Sequence, residues 1–407
     1  MKKVILTALA ICLIFSLNTV VFAKHGGEHA KNIIFMCPDG MGISNVTAAR
    51  IFKNGPNGDR LALESLKVIG HQSTHAKNST VTDSAAAATA WAIGQKANNG
   101  EISCTRNEEE NGDCTGAPKT ILEIAKEMGK ATGLVATSQI SHATPAAFGA
   151  HAGNRYCGEE IARQYIEETG VDVVLGGGVY YTNTAGSRCP WAASLPGTGL
   201  GQDGIIESAV NNGYAVVQTK GQMNALTSET KVLGLFKDFS QGKTVEYFRV
   251  GGTPYPGDEP TLAEMTEAAL DILDNHKRGF FLMVEGSQID WEDHANNAVG
   301  MIAETLGFDA AVEVVRDWLQ KGNNAQHTLV IIAPDHDTSG YAIKGPYGSL
   351  SEAGDLLDVE SGNGAYISGD HTGTDVVIWS EGPGSENLGE ALDNTDLFHV
   401  MMEALHN

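Results

Sequence analysis

The sequence predicts an α/β fold: a large, mostly parallel central sheet flanked by helices on both faces, with a smaller irregular insertion. Three observations predict it. Short, continuous apolar runs such as "NIIFMC", "GFFLMV" and "HTLVII" recur along the chain, and strands buried on both faces read that way. Helical patterns lie between them, notably "TILEIAKEMGK" at 120–130 and "TLAEMTEAALDILDNHKRG" at 261–279. Alternation of this kind is what parallel connections require. Each apolar run also stops abruptly in polar, chemistry-bearing residues. In an open parallel sheet, ligands bind beyond the carboxyl ends of the strands.

The chain ends and the composition set the frame. With 407 residues, 42% of them hydrophobic and 19% charged, the chain can bury a large core. Its formal charge of −23 argues against nucleic acid or an anionic membrane surface as a partner. "MKKVILTALAICLIFSLNTVVFAK" reads as a secretory signal peptide over 1–23, with a basic start, an apolar run and a small-residue cleavage site at Ala23. No other segment is long and apolar enough to span a bilayer. Residues 24–407 are therefore expected as one exported domain, periplasmic or secreted, with no membrane partner. Export permits disulfides. Cys104 and Cys114 bracket an acidic loop and Cys157 and Cys189 would be the second pair, one of the three connectivities that four cysteines allow and chosen on spacing alone, while Cys37 sits in an apolar run and should be a buried thiol.

In chain order, the first apolar run ends at Asp39 in "PDGMG". "VTDSAAAATAWAIG" at 81–94 reads as a helix capped by Asp83 or Thr82, carried by alanines and closed by Gly94. Ser84 falls in the first turn of that helix. A cap is the ordinary explanation; free N–H groups and the dipole would equally favour an oxyanion there, which makes Ser84 a candidate nucleophile. "ATGLVATSQISHATP" ends in His142 and Thr144. The stretch from about 180 to 260 is rich in Gly, Asn and Thr and is expected as the insertion, although "KVLGLFKD" (231–238) looks like core. "GFFLMVEGSQIDWEDH" ends in Glu285, Asp290 and His294, and "HTLVIIAPDHDTSG" in Asp335 and His336. His371 follows in "SGDHTG".

Singly, each of these residues has an ordinary reading as a turn or surface group. Four such clusters at one edge of one sheet point instead to a site. Asp290 and His294 share a helix face at four-residue spacing and can grip one ion. Carboxylate and imidazole together suit zinc. Asp39, Thr144 and Glu285 offer oxygen alone, which suits magnesium.

Six motifs, "PDGMG", "VTDSAAAATAWAIG", "HATPAAFGAHAGNR", "VEGSQIDWEDHANN", "APDHDTSG" and "GDHTG", occur in an order and spacing that resembles the alkaline phosphatases, over Asn32 to Leu405. The resemblance implies an alkaline phosphatase-like fold and an exported homodimer that hydrolyses phosphate monoesters, with two Zn2+ and one Mg2+ per chain. It makes Ser84 the nucleophile, next to Asp83. It gives Asp290, His294 and His371 to one zinc, and Asp39, Asp335 and His336 to the other. Asp39 is shared with the magnesium, which Thr144 and Glu285 complete. Arg155, eleven residues after Thr144, matches the arginine that clamps phosphate.

The chain departs from well-known bacterial members at two positions near substrate, which carry Asp in place of His142 and Lys in place of Trp291. His142 adds a nitrogen beside an oxygen-lined site and leaves the third metal's identity open. Trp291 removes a cation, which predicts weaker phosphate binding. The rival readings are a metal-dependent phosphodiesterase of the same superfamily and a non-catalytic phosphate- or metal-binding exported protein.

Overall fold

The computed structural model describes residues 29–104, 114, 116–178, 202–227, 230–236, 248–249, 253–254, 259–344 and 364–406. The signal peptide and Cys189 fall outside that range. Among the described residues, ten strands form one sheet. From edge to edge they are Ala391–Asp393, Val68–Ser73, Val376–Glu381, Thr328–Ile332, Asn32–Pro38, Phe280–Gly286, Ala131–Gln139, Val173–Gly177, Val232–Leu235 and Ala215–Val217. All neighbours are parallel except those of Val376–Glu381, which opposes both strands beside it.

The pleat explains why helices cover both faces. Along the central strand, Ile33, Phe35 and Cys37 face one apolar cluster, while Ile34 and Met36 face another. The first cluster is roofed by the helices Ser84–Ile93, Ile121–Glu127, Ala143–Gly149, Gly158–Glu167 and Asp396–His406. Ile43–Asn54, Leu262–Leu273 and Ala298–Leu319 roof the second. Each large side chain buried this way contributes about 1.5–3 kcal/mol against exposure. Trp91 also satisfies its indole N–H, which donates to Gln72 Oε1 at 3.0 Å, and its ring lies 4.9 Å from that of Phe35.

Local chemistry sets the helix ends. Thr120 with Glu123 and Thr261 with Glu264 form capping boxes. These helices stop at Glu127 and Leu273, short of the expected 130 and 279. Past the second, the chain turns through Gly279 at φ 80°, where a side chain would collide with the Lys31 carbonyl. The described part of 180–260 places Ala215–Val217 and Val232–Leu235 as the last two strands of the main sheet. Cys104 and Cys114 are bridged, Cys157 is also disulfide-bonded, and Cys37 is free and buried. The chain closes on itself at the far edge, where Ala30 N–H donates to the Ala404 carbonyl at 3.1 Å. No described helix is long and apolar enough to cross a membrane.

Candidate active site

The candidate site residues gather at the carboxyl edge of the sheet. The parallel register sets Cys37 opposite Glu285, and Asp39 N–H donates to the Gly286 carbonyl at 3.2 Å. Asp39 and Glu285 therefore leave adjacent strands at one level. Asp335 follows the neighbouring strand Thr328–Ile332. The reversed strand has its amino end at this edge, so His371, just before Val376, is delivered to it too. A short ladder pairs Thr338 with His371 and Asp337 with Thr372, which stacks the His336 and His371 rings at 3.5 Å.

Three histidines share one orientation. His294 Nδ1 faces the Gly369 carbonyl at 2.6 Å, His371 Nδ1 the Thr82 carbonyl at 2.8 Å and His336 Nδ1 the Thr338 hydroxyl at 3.1 Å. Two of these partners are carbonyls, which only accept, so Nδ1 carries the proton. Each Nε2 lone pair is thereby free and turned toward carboxylates. Asp290 Oδ1, His294 Nε2 and His371 Nε2 lie 3.1, 3.3 and 3.5 Å apart in pairs. Donors at the corners of a zinc tetrahedron sit about 3.3 Å apart. The donor set fits that ion in type and spacing.

A second group joins Asp39, Asp335 and His336, all fully buried. His336 Nε2 is 3.0 Å from Asp335 Oδ2 and 3.6 Å from Asp39 Oδ1, yet neither carboxylate oxygen makes a hydrogen bond. Asp335 Oδ1 is fixed instead by the N–H groups of Gly40 and His336, at 3.0 and 3.1 Å. The third group is Asp39, His142 and Glu285. Thr144 lies against Glu285 with its hydroxyl unpartnered, and Glu285 Oε1 and His142 Nδ1 are unpartnered as well. Buried donors and acceptors left without hydrogen-bond partners on this scale are the mark of a metal-ligand set.

The electrostatics agree. Burial, then Asp335, Asp290 and Glu285, push the Asp39 carboxyl well above its ordinary range. Burial raises Glu285 to about 7. Burial would raise Asp290 too, but the combined pull of His294, His336 and His371 outweighs that and holds it at about 2. Four buried carboxylates crowded together call for positive charge.

Ser84 Oγ lies 3.4 Å from His336 Nε2. It opens a helix whose cap is Asp83, which accepts from Ala86 N–H at 2.9 Å, and Gly94 closes that helix in the left-handed region. All residues of the helix are buried, and it packs on the equally small-sided Ala143–Gly149. The alanines thus let Ser84 approach the sheet edge. Asp83 Oδ2 also accepts from Arg155 Nη1 at 2.9 Å and from Gly100 N–H at 2.9 Å. Arg155 Nη2 meets His142 Nε2 at 3.3 Å, and burial followed by that guanidinium depresses His142 to about 3. Trp291 stands edge-on to His142 at 5.8 Å.

Sequence reasoning missed several supports. Thr338 Oγ1 bridges His336 and Asp290, donating to Asp290 Oδ1 at 2.5 Å. Asn99 holds the serine loop through Asp83 N–H and the Val81 carbonyl, at 3.0 and 3.1 Å. Ser138 donates to Glu285 Oε2 at 3.3 Å. The "DHDT" and "NNG" stretches gave the only signal for the first two.

Residues 30–356 match the family model described as alkaline phosphatase. The chain is 34% identical to the alkaline phosphatase of Escherichia coli K12, over 92% of this chain and 86% of that one. It is 32% identical to alkaline phosphatase 4 of Bacillus subtilis, over 94% and 90%. Among solved structures it is similar to the alkaline phosphatase of the Antarctic bacterium TAB5, with a TM-score of 0.73 and 29% identity over 93% of this chain and 98% of that one.

Proposed function

The chain belongs to the alkaline phosphatase family, and from that premise we propose that it hydrolyses phosphate monoesters through a covalent phosphoserine on Ser84. One observation carries this reading. Ser84, at a helix start, lies 3.4 Å from His336 Nε2, while the adjacent Asp83 holds Arg155. Nucleophile, ligand histidine and phosphate clamp are thereby joined in one network.

Asp290, His294 and His371 would hold one zinc, and Asp39, Asp335 and His336 the second. Asp39, Thr144 and Glu285 would hold magnesium, with His142 beside it. Bound there, the ions would lower the serine pKa and hold the leaving oxygen. The protein's own groups do the rest. Ser84 Oγ loses its proton and bonds to phosphorus as the ester P–O bond breaks and the alcohol leaves. Water then attacks phosphorus from the opposite side and frees Ser84 and phosphate. Asp83 takes Arg155 Nη1, and the guanidinium N–H groups engaged by neither Asp83 nor His142 would hold phosphoryl oxygens.

The segment 1–23 supports export, and family resemblance supports a homodimer. The deciding experiment is elemental analysis paired with p-nitrophenyl phosphate turnover before and after chelation. Two zincs per chain are expected, with activity lost on chelation and restored by zinc plus magnesium. Acid quenching during turnover should trap phosphate on Ser84. Little zinc and chelator-insensitive activity would overturn the assignment.

A further inference from the structure

Buried oxygens without a hydrogen-bond partner gather in two places. One is the metal centre. The other lies one layer behind it, where Asp293 Oδ1, Asn45 Oδ1 and the Tyr341 and Tyr366 hydroxyls are all unpartnered. Asn45 and Asp293 are fully buried and Asp337 is 7% exposed. Asp293 precedes His294 in the chain and Asp337 follows His336, so this layer backs directly onto the first.

Its parts converge. Asn45 Nδ2 donates to Asp293 Oδ2, which commits the amide carbonyl to the side away from Asp293. Asn45 Oδ1 and Asp337 Oδ1 both border the space beside Gly42. A Cβ built on Gly42 would collide with Asp337 Oδ1 and lie 3.6 Å from Asn45 Oδ1. Gly42 sits at φ −73°, which any residue adopts, so space and not backbone demands glycine. The Tyr341 and Tyr366 rings, 5.0 Å apart, lie near Asp293.

Among the described residues no lysine or arginine pairs with Asp293 or Asp337. The groups acting on Asp293 are Asn45, the carboxylates Asp290 and Asp337, and His294; those acting on Asp337 are Thr372, His336 and Gly340. None is a lysine or arginine, and both histidines present Nε2 to the other centre. A trapped water would satisfy hydrogen bonds but bring no charge.

We propose that this chamber is a fourth cation site, taking a hard divalent ion of the calcium type on Asp293, Asp337 and the Asn45 carbonyl. Carboxylates and an amide carbonyl, with no free imidazole or thiol, are the donors such ions select. Gly42 keeps the cradle open, and the tyrosine hydroxyls leave room for water on the ion.

The test uses protein already saturated with zinc and magnesium. Calcium is titrated by calorimetry, and terbium is followed by emission excited through tyrosine, since Tyr341 and Tyr366 lie near Asp293. One further site per chain is expected, with calcium raising Tm. Asp293→Asn and Asp337→Asn keep shape and remove charge. Each should weaken calcium binding at least tenfold, and neither should lower Tm in calcium-free buffer. Gly42→Ala should abolish the site. Failure of the saturated wild type to bind calcium would overturn the proposal. So would binding that persists in both Asn variants, because it would then belong to the third metal group.

Discussion

Thr338→Val tests whether orientation of the histidines sets metal affinity. Valine matches threonine in shape and deletes one hydroxyl. Thr338 is fully buried, as is His336, and Asp290 is 4% exposed, so no water replaces what is lost. His336 Nδ1 loses its 3.1 Å partner and Asp290 Oδ1 its 2.5 Å donor. Stranding a buried polar group costs about 1–3 kcal/mol, and a bond to a charged group contributes about 1.5–3. Bound zinc would relieve part of the second loss, leaving roughly 2–4 kcal/mol, or about 30- to 1,000-fold in affinity. Outer-shell partners of metal ligands contribute about 10- to 100-fold. The two ranges overlap at about 30- to 100-fold weaker zinc binding. Chelator competition measures it directly, and activity should recover at saturating zinc. An affinity within about threefold of wild type would refute the reasoning, since rounding cannot hide a loss of about 2 kcal/mol.

Other predictions touch separate links. Ser84→Ala should cut turnover by roughly a thousandfold or more while Tm holds, because Asp83 and not Ser84 caps the helix; a large fall in Tm would contradict this. Trp291→Lys should tighten phosphate inhibition by about fivefold by placing a cation beside His142, and an unchanged inhibition constant would reject it. A third prediction concerns His151 and Glu123, paired at 3.0 Å. Burial alone would lower the His151 pKa, but the hydrogen bond and charge of Glu123, with the Ser103 carbonyl, together outweigh it and raise it; the hydrogen bond and charge of His151, with the Thr120 N–H, lower Glu123 against burial. The pair therefore stabilises the fold fully between about pH 4.5 and 6.5 and fades as pH rises through the raised His151 value. In urea, His151→Gln should lose about 0.5–1 kcal/mol near pH 5.5 and less near pH 9. Equal losses at both pH values would exclude the linkage.

The sheet was legible because strands buried on both faces must be apolar throughout, so each announces itself and its polar end. Asp39, Glu285 and Asp335 were readable for that reason, and helical patterning located the two helices that begin near Thr120 and Thr261. The strand order was not readable, nor was the reversal of Val376–Glu381, since pairing is decided between segments far apart in the chain. The supports of the histidines were hidden for a related reason. Gly369 and Thr82 act through backbone carbonyls, which every residue owns, and only tertiary register chooses which ones face a ring. Thr338 had a usable side chain but a common one, two places beyond a histidine.

The bond between Ala30 and Ala404 has a practical meaning for attachment. The central strand starts near that seam and points its other end at the catalytic edge, roughly 20 Å away. An anchor joined next to Ala30 or Ala404 would leave the molecule standing with its mouth outward, open to dissolved esters. Because the two positions touch, a short linker could join them and the chain be reopened elsewhere, without disturbing a single candidate ligand.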